Sequence, residues 1–282
     1  MGIFLALLSA FFAFSWRITV KTKLKPNKSD IAFTALVDFF AACTAALFIP
    51  LFGIKLPTGT EILGLFVLSV LISAISDFLL LFATKNADTA DTSILMPLSN
   101  IWVLLFAALF LKESLSPWKI VGVLMIALGS VITLNKGKRI ILNKGIIAAF
   151  IYGLLITGTI VIDKGISSNF SLPVYSAIFY FLSSAALTLL SGKHAIRKIA
   201  TEWKINKWWS AAIGVQWALF SLTLLFAYSQ TEASTAVPIM RVFIVLVTIY
   251  SIVVLKERER VWQKIFGSII VTAGALVLAH LG

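Results

Sequence analysis

Residues 208–255 read WWSAAIGVQWALFSLTLLFAYSQTEASTAVPIMRVFIVLVTIYSIVVL, two apolar runs joined by a short polar turn, with Glu232 and Arg241 as their only charges. Each run supplies the about 20 residues that an α-helix needs to cross a hydrocarbon core of roughly 30 Å. The pattern continues along the chain. Of 282 residues, 60% are hydrophobic and 13% charged, and the mean hydropathy is +1.00. That is more apolar surface than a water-soluble fold can cover, so lipid is the expected solvent.

Apolar runs and their punctuation place membrane-spanning helices near 2–20, 31–52, 62–84, 90–111, 117–135, 144–163, 171–191, 208–230, 234–255 and 260–281. Ten spans with short connections leave no room for a soluble domain. The net charge of +12 would suggest nucleic acid in a soluble protein, but here the basic residues sit in loops, so no nucleic-acid partner is expected. One set of loops carries Arg17, Lys21, Lys23, Lys25 and Lys28, then Lys85, then Lys136, Lys138, Arg139 and Lys144, then Lys193, Arg197, Lys198, Lys204 and Lys207, then Lys256, Arg258, Arg260 and Lys264. The other set carries only Lys55, Lys112, Lys119 and Lys164. The positive-inside rule puts the first set in the cytoplasm and both termini outside, in a multi-pass protein of a bacterial plasma membrane.

The cluster from Glu202 to Trp209 reads as an interfacial anchor, with a lipid-specific site as the sharper alternative. Cys43 lies in an apolar helix and reads as a packing residue. The first run lacks a basic leader and a cleavage site and is read as a helix of the mature chain.

The two halves resemble each other. Leu80-Leu81-Phe82-Ala83 recurs as Leu224-Leu225-Phe226-Ala227, and Leu111-Lys112-Glu113 as Leu255-Lys256-Glu257, both at an offset of 144. Gly122 and Gly129 recur as Gly267 and Gly274 at 145, and Gly2 and Lys21 as Gly145 and Lys164 at 143. Residues 1–140 and 141–282 are therefore expected to be five-helix repeats forming one transmembrane unit. Five is odd, so the second half enters the membrane from the opposite side, the inverted arrangement in which two halves exchange conformations around a midplane site.

Ten helices in two such halves, each closing on Leu-Lys-Glu and a glycine-bearing last helix, resemble the EamA-type transporters of the drug/metabolite transporter superfamily. The resemblance covers the whole chain. Lys112 and Lys256 replace the glycine of the family's Leu-Gly-Glu-Arg-like junction. Pro97 fits the proline usual in the fourth helix, while Pro238 lies three residues earlier relative to its junction. The resemblance implies transport of a small molecule through a cavity lined by helices 1, 3, 4, 6, 8 and 9, and leaves the substrate open.

Ionisable groups within spans cost at least about 2.5 kcal/mol at midplane and so mark functional candidates. Arg241, three residues after the helix-loosening Pro238, suits a carboxylate or phosphate, or else snorkels or pairs within the protein. Asp77 and Asp38 lie at one depth and are candidates for proton coupling, or for structural hydrogen bonds. Polar and aromatic stripes on the cavity helices add Asn100 on helix 4, Trp16 with Ser9 on helix 1, Tyr152 and Thr159 on helix 6, and Trp217, Ser221, Thr223 and Tyr228 on helix 8. Pro97 and Pro238 are the expected hinges.

Glycines on helices 5 and 10 read as close packing, with a homodimer contact as the alternative. Glu113 and Glu257 read as caps. His194 and His280 are isolated, and no catalytic triad, Walker loop or zinc pattern occurs, so neither enzyme activity nor a cofactor or metal is expected. The expected function is secondary transport of a small polar metabolite such as an amino acid or organic anion. A lipid-linked sugar or lipid-phosphate flippase is the rival within the fold, and a membrane sensor or scaffold the rival outside it.

Overall fold

In a computed structural model of the protein the backbone is described for residues 1–86, 89–134, 144–254, 256 and 260–281, and side chains for these residues except 21, 78, 80–86, 89–98, 134 and 251. The chain runs through α1 (Gly2–Lys23), α2 (Asp30–Leu47), the single turn α3 (Ile49–Phe52), α4 (Thr60–Asn86), α5 (Thr89–Leu111), α6 (Pro117–Leu134) and α7 (Lys144–Ile166). It continues through a 3₁₀ turn (Ser167–Asn169) into α8 (Leu172–Leu190), α9 (Ala195–Asn206), α10 (Trp208–Tyr228), α11 (Ala233–Met240), α12 (Phe243–Val253) and α13 (Val261–Leu281). No strand occurs among the described residues. Eight of the described stretches are long and apolar enough to cross a membrane, and 99–111 and 117–133 are shorter apolar helices.

All ten apolar runs are helical, with two corrections. The residues read as an anchoring loop include a separate helix, α9. The ninth run is broken into α11 and α12, because Pro238 offers no N–H to the helical ladder and the backbone tightens after it. Arg241 N bonds to Pro238 O at 2.9 Å, Val242 N to Ile239 O at 3.0 Å, and Ile244 N to Arg241 O at 2.9 Å.

The main helix contacts join the first half to the second: α6 with α13, α4 with α7, α2 with α8, and α1 with α10. In lipid such contacts depend on close backbone approach and not on an excess of buried oil. On the α6–α13 seam a Cβ at Gly129 would lie 2.6 Å from Gly267 O, and one at Gly274 2.8 Å from Gly122 O. These glycines are therefore used inside one chain and lend no support to a homodimer. Gly214 does the same for α10 against α2, where a Cβ would lie 2.7 Å from Val37 O.

Large apolar residues such as Phe4, Leu109, Phe110 and Trp262 face outward, while Ser9, Ser69, Ser76, Ser130 and Thr157 are buried. This is the distribution expected where the surroundings are lipid. Cys43 is exposed on α2, which corrects its reading as a packing residue.

Lys112 and Lys256, one in each Leu-Lys-Glu, have φ of 56° and 54°. This left-handed conformation, just past a helix end, is the one glycine adopts at least cost. Leu255 and Glu257 lie outside the described residues.

Gly129→Ala is expected to lower the yield and melting temperature of detergent-solubilised protein, because backbone atoms and not a flexible side chain stand in the way. Gly64→Ala, at a helical position with open space around it, is expected to be neutral or stabilising by up to about 1 kcal/mol. Equal melting of the two variants would refute the seam. Lys112→Gly is expected to raise stability by about 0.5–1 kcal/mol, the left-handed strain of a side-chain-bearing residue less the entropy glycine loses on folding. A lowered melting temperature would count against it.

Candidate functional site

The break between α11 and α12 leaves Arg241 projecting from a tightened turn. Its Nη2 donates to Ser99 Oγ on α5 at 3.3 Å, and its Nε is buried without a hydrogen-bond partner among the described residues. A second guanidinium lies nearby. Arg17 on α1 stands with its central carbon 4.8 Å from the Phe243 ring centroid on α12 and 5.6 Å from that of Trp16. Both arginines lie within Coulombic reach of each other and of Tyr152 on α7. Neither has a carboxylate at ion-pairing distance among the described residues. Arg17 is exposed.

Beside this pair the Trp16 and Trp217 rings meet at 5.1 Å, and Phe220 stands 5.1 Å from Trp217. Gln216 Nε2 donates to Ser15 Oγ at 2.9 Å and Thr19 Oγ1 at 3.1 Å, which fixes α10 to α1 and leaves Gln216 Oε1 buried and unpartnered. Asp77 on α4 reaches Tyr152 and Asp38 electrostatically. Asp38 accepts from Ser183 Oγ at 2.7 Å on α8.

The structure thus brings together Arg241, Tyr152, Trp16, Trp217 and Asp77. Tyr228 is within reach of Arg241, and both its hydroxyl and the side-chain amide of Asn100 are buried without partners among the described residues. Other expected site residues are already satisfied. Thr223 turns its hydroxyl to Leu219 O at 2.7 Å and Phe220 O at 3.0 Å, and Thr159 turns to Leu155 O at 3.4 Å. Ser221 lies beside the Tyr180 hydroxyl, and Ser9 ties α1 to Phe220 O on α10 at 2.9 Å. Pro238 is buried inside α11. The Pro97 side chain lies outside the described residues.

Two ionisable groups were not anticipated as site candidates. By sequence Arg17 falls with the loop charges, but α1 continues to Lys23 and holds it within the helix, six residues before its end. Asp163 accepts from Ser69 Oγ at 2.6 Å and from Tyr175 Oη at 2.5 Å, joining α7 to α4 and α8. It was placed at a helix end, although the run Ile160-Val161-Ile162 resumes at Ile166 and keeps it within α7.

Lys119 and Lys164, also counted as loop charges, are structural. Buried Lys119 pairs with Glu232 and donates to Ser114 O at 2.8 Å. Lys164 Nζ donates to Tyr228 O and, at 2.7 Å, to Thr231 O. Glu113 accepts from Ala233 N at 2.7 Å and Ser234 N at 3.0 Å, capping α11 as expected.

Residues 1–135 match the model of the EamA-like transporter family. Over these residues the chain is similar to that family. A solved crystal structure superposes on this chain with a TM-score of 0.80 and 18% identity, covering 99% of this chain and 97% of that one. At that identity the likeness shows fold alone. No curated protein matches the sequence. The chain is a multi-pass membrane protein by its eight long apolar helical stretches, and residues 1–135 are similar to a transporter family.

Asp163→Ala is expected to leave the Ser69 and Tyr175 hydroxyls without their acceptor, at a cost of about 1–3 kcal/mol. Asp163→Asn, which keeps a carbonyl oxygen, should cost less. Thermal unfolding in detergent reads both, and wild-type melting of the alanine variant would remove Asp163 from the structural account.

Proposed function

We propose that the chain is a secondary transporter of a small organic anion or zwitterion, working by alternating access between two inverted five-helix repeats, residues 1–140 and 141–282. The observation that carries the reading is the pair Arg17 and Arg241, two guanidiniums in one bundle with no carboxylate at ion-pairing distance among the described residues. An unneutralised cation inside lipid-spanning helices is costly unless water or an anion reaches it. A guanidinium fork also suits a carboxylate or phosphate better than any other common group.

Trp16, Trp217 and Tyr152 supply apolar walls, while Asn100, Tyr228 and Gln216 supply unsatisfied polar atoms, the combination usual in small-molecule sites. Ten spans, termini outside and the more basic loops in the cytoplasm complete the arrangement. Loop contacts support the alternation. Ser171 Oγ donates to Gly53 O at 2.8 Å, joining the connection after α2 to that after α7, while Glu202 Oε1 accepts from Lys28 N at 2.9 Å, joining the connections after α1 and α8. The matched φ of Lys112 and Lys256 supports the repeat. Asp77 and Asp38 are the proposed carriers of a coupling proton.

A thermal-shift screen of purified protein against amino acids, sugars, phosphate esters and quaternary amines tests the reading, since a ligand of the folded state raises its stability. One anionic or zwitterionic class is expected to stabilise the protein. Its apparent affinity should fall about 10–100-fold in Arg241→Ala and in Arg17→Ala, the loss of a charge-assisted hydrogen bond. Stabilisation by quaternary amines alone, or binding indifferent to both substitutions, would overturn the assignment.

A further inference from the structure

Away from the central arginines, α9 and the start of α2 enclose a pocket of about 300 Å³. Its wall carries Lys28, His194, Arg197 and Lys198, with the hydroxyl-bearing Thr201 beside them, and Glu202 also lines it. Glu202 is fully buried, its Oε1 accepting from Lys28 N at 2.9 Å and Ser29 N at 2.8 Å. Its other oxygen, Oε2, is buried and has no partner among the described residues. A buried carboxylate oxygen ordinarily has a donor, and one without marks a place where a donor is missing.

The surroundings place this pocket at the level of lipid headgroups. It lies between two candidate spans, α8 and α10. The Trp203 ring lies tilted against Phe40 at 5.5 Å and edge-to-face with Trp208 at 5.7 Å, and Lys23 Nζ stands 5.5 Å from the Trp209 ring. Tryptophans and lysines concentrate at that depth.

We propose that this pocket binds the headgroup of phosphatidylethanolamine from the surrounding bilayer. The phosphodiester meets Lys28, Arg197 and Lys198, and the primary ammonium donates to Glu202 Oε2. The choice of headgroup follows from the mixed lining. Phosphatidylglycerol satisfies the cations and leaves the carboxylate oxygen without a donor of matching charge. Phosphatidylcholine brings a positive charge with no N–H to give. Only a phosphate joined to a primary amine answers both. The site is independent of the transport reading and requires only that the chain be embedded in lipid.

Native mass spectrometry of the full chain in detergent, titrated separately with phosphatidylethanolamine, phosphatidylglycerol and phosphatidylcholine of identical acyl chains, tests the proposal. The ethanolamine lipid is expected to bind about 10-fold more tightly than either competitor, one charge-assisted hydrogen bond's worth. Arg197→Ala combined with Lys198→Ala, both on the exposed side of α9, should weaken it by a similar factor, and because Lys198 Nζ also donates to Ser191 O at 2.6 Å, Arg197→Ala alone, which leaves that bond in place, should weaken it too. Glu202→Gln keeps an acceptor for the two backbone N–H groups but replaces Oε2 with an amide donor, so the preference over phosphatidylglycerol should vanish. Tighter binding of phosphatidylglycerol, a preference that survives Glu202→Gln, or indifference to the α9 double variant would overturn it. Equal binding of free O-phosphoethanolamine would overturn the lipid as the source.

Discussion

Lipid offers no hydrogen bonds, so each polar group in a spanning helix has to be answered by the protein itself or by what enters it. Many hydroxyls of this chain meet that constraint in one of two ways. Thr44, Ser76, Ser130, Thr157 and Thr272 turn back onto carbonyls four residues earlier in their own helices. Ser9, Ser184 and Ser183 reach across instead, to Phe220 O, Ala35 O and Asp38 Oδ2. The second group fastens α1 to α10 and α2 to α8, so the same chemistry that silences one hydroxyl builds the frame with another.

Charges at the helix ends extend this logic to the loops. Glu113 caps α11, Glu202 caps the entry to α2, Lys164 answers carbonyls at the end of α10, and Lys119 pairs with Glu232. In every case but that of Lys164 the partner lies in the other half of the chain. Together with the glycine seam between α6 and α13, these contacts make the halves a single unit, since neither can bury its own ends alone.

The helices were legible in the sequence because crossing lipid demands length and apolarity, and both are written directly in the order of residues. Their ends were less legible, and the functional errors follow from that. Asp163 lies in the last turn of α7, and Arg17 lies where α1 runs on past its apolar stretch to Lys23, so each looks in the sequence like an interfacial charge. Helix α9 escaped notice because its residues alternate charge and apolarity without the length of a span. Arg241 was legible for the opposite reason: it interrupts an otherwise apolar run, next to a proline, where no loop could claim it. The self-satisfied hydroxyls of Thr159 and Thr223 looked like site residues because a sequence shows which groups are polar but not which are already bonded.

That distinction sharpens the central site. A group already bonded within its helix gains little by binding a solute, because the solute only replaces one partner with another. A buried group with no partner gains the full interaction. Among the described residues Asn100, Tyr228 Oη, Gln216 Oε1 and Arg241 Nε are of the second kind, and they come from α5, α10 and the α11–α12 break, the elements that surround Arg17 and Tyr152. A solute that satisfied them would have to carry both hydrogen-bond donors and acceptors as well as negative charge. That requirement favours an amino-acid-like zwitterion or a hydroxylated acid over a bare inorganic anion.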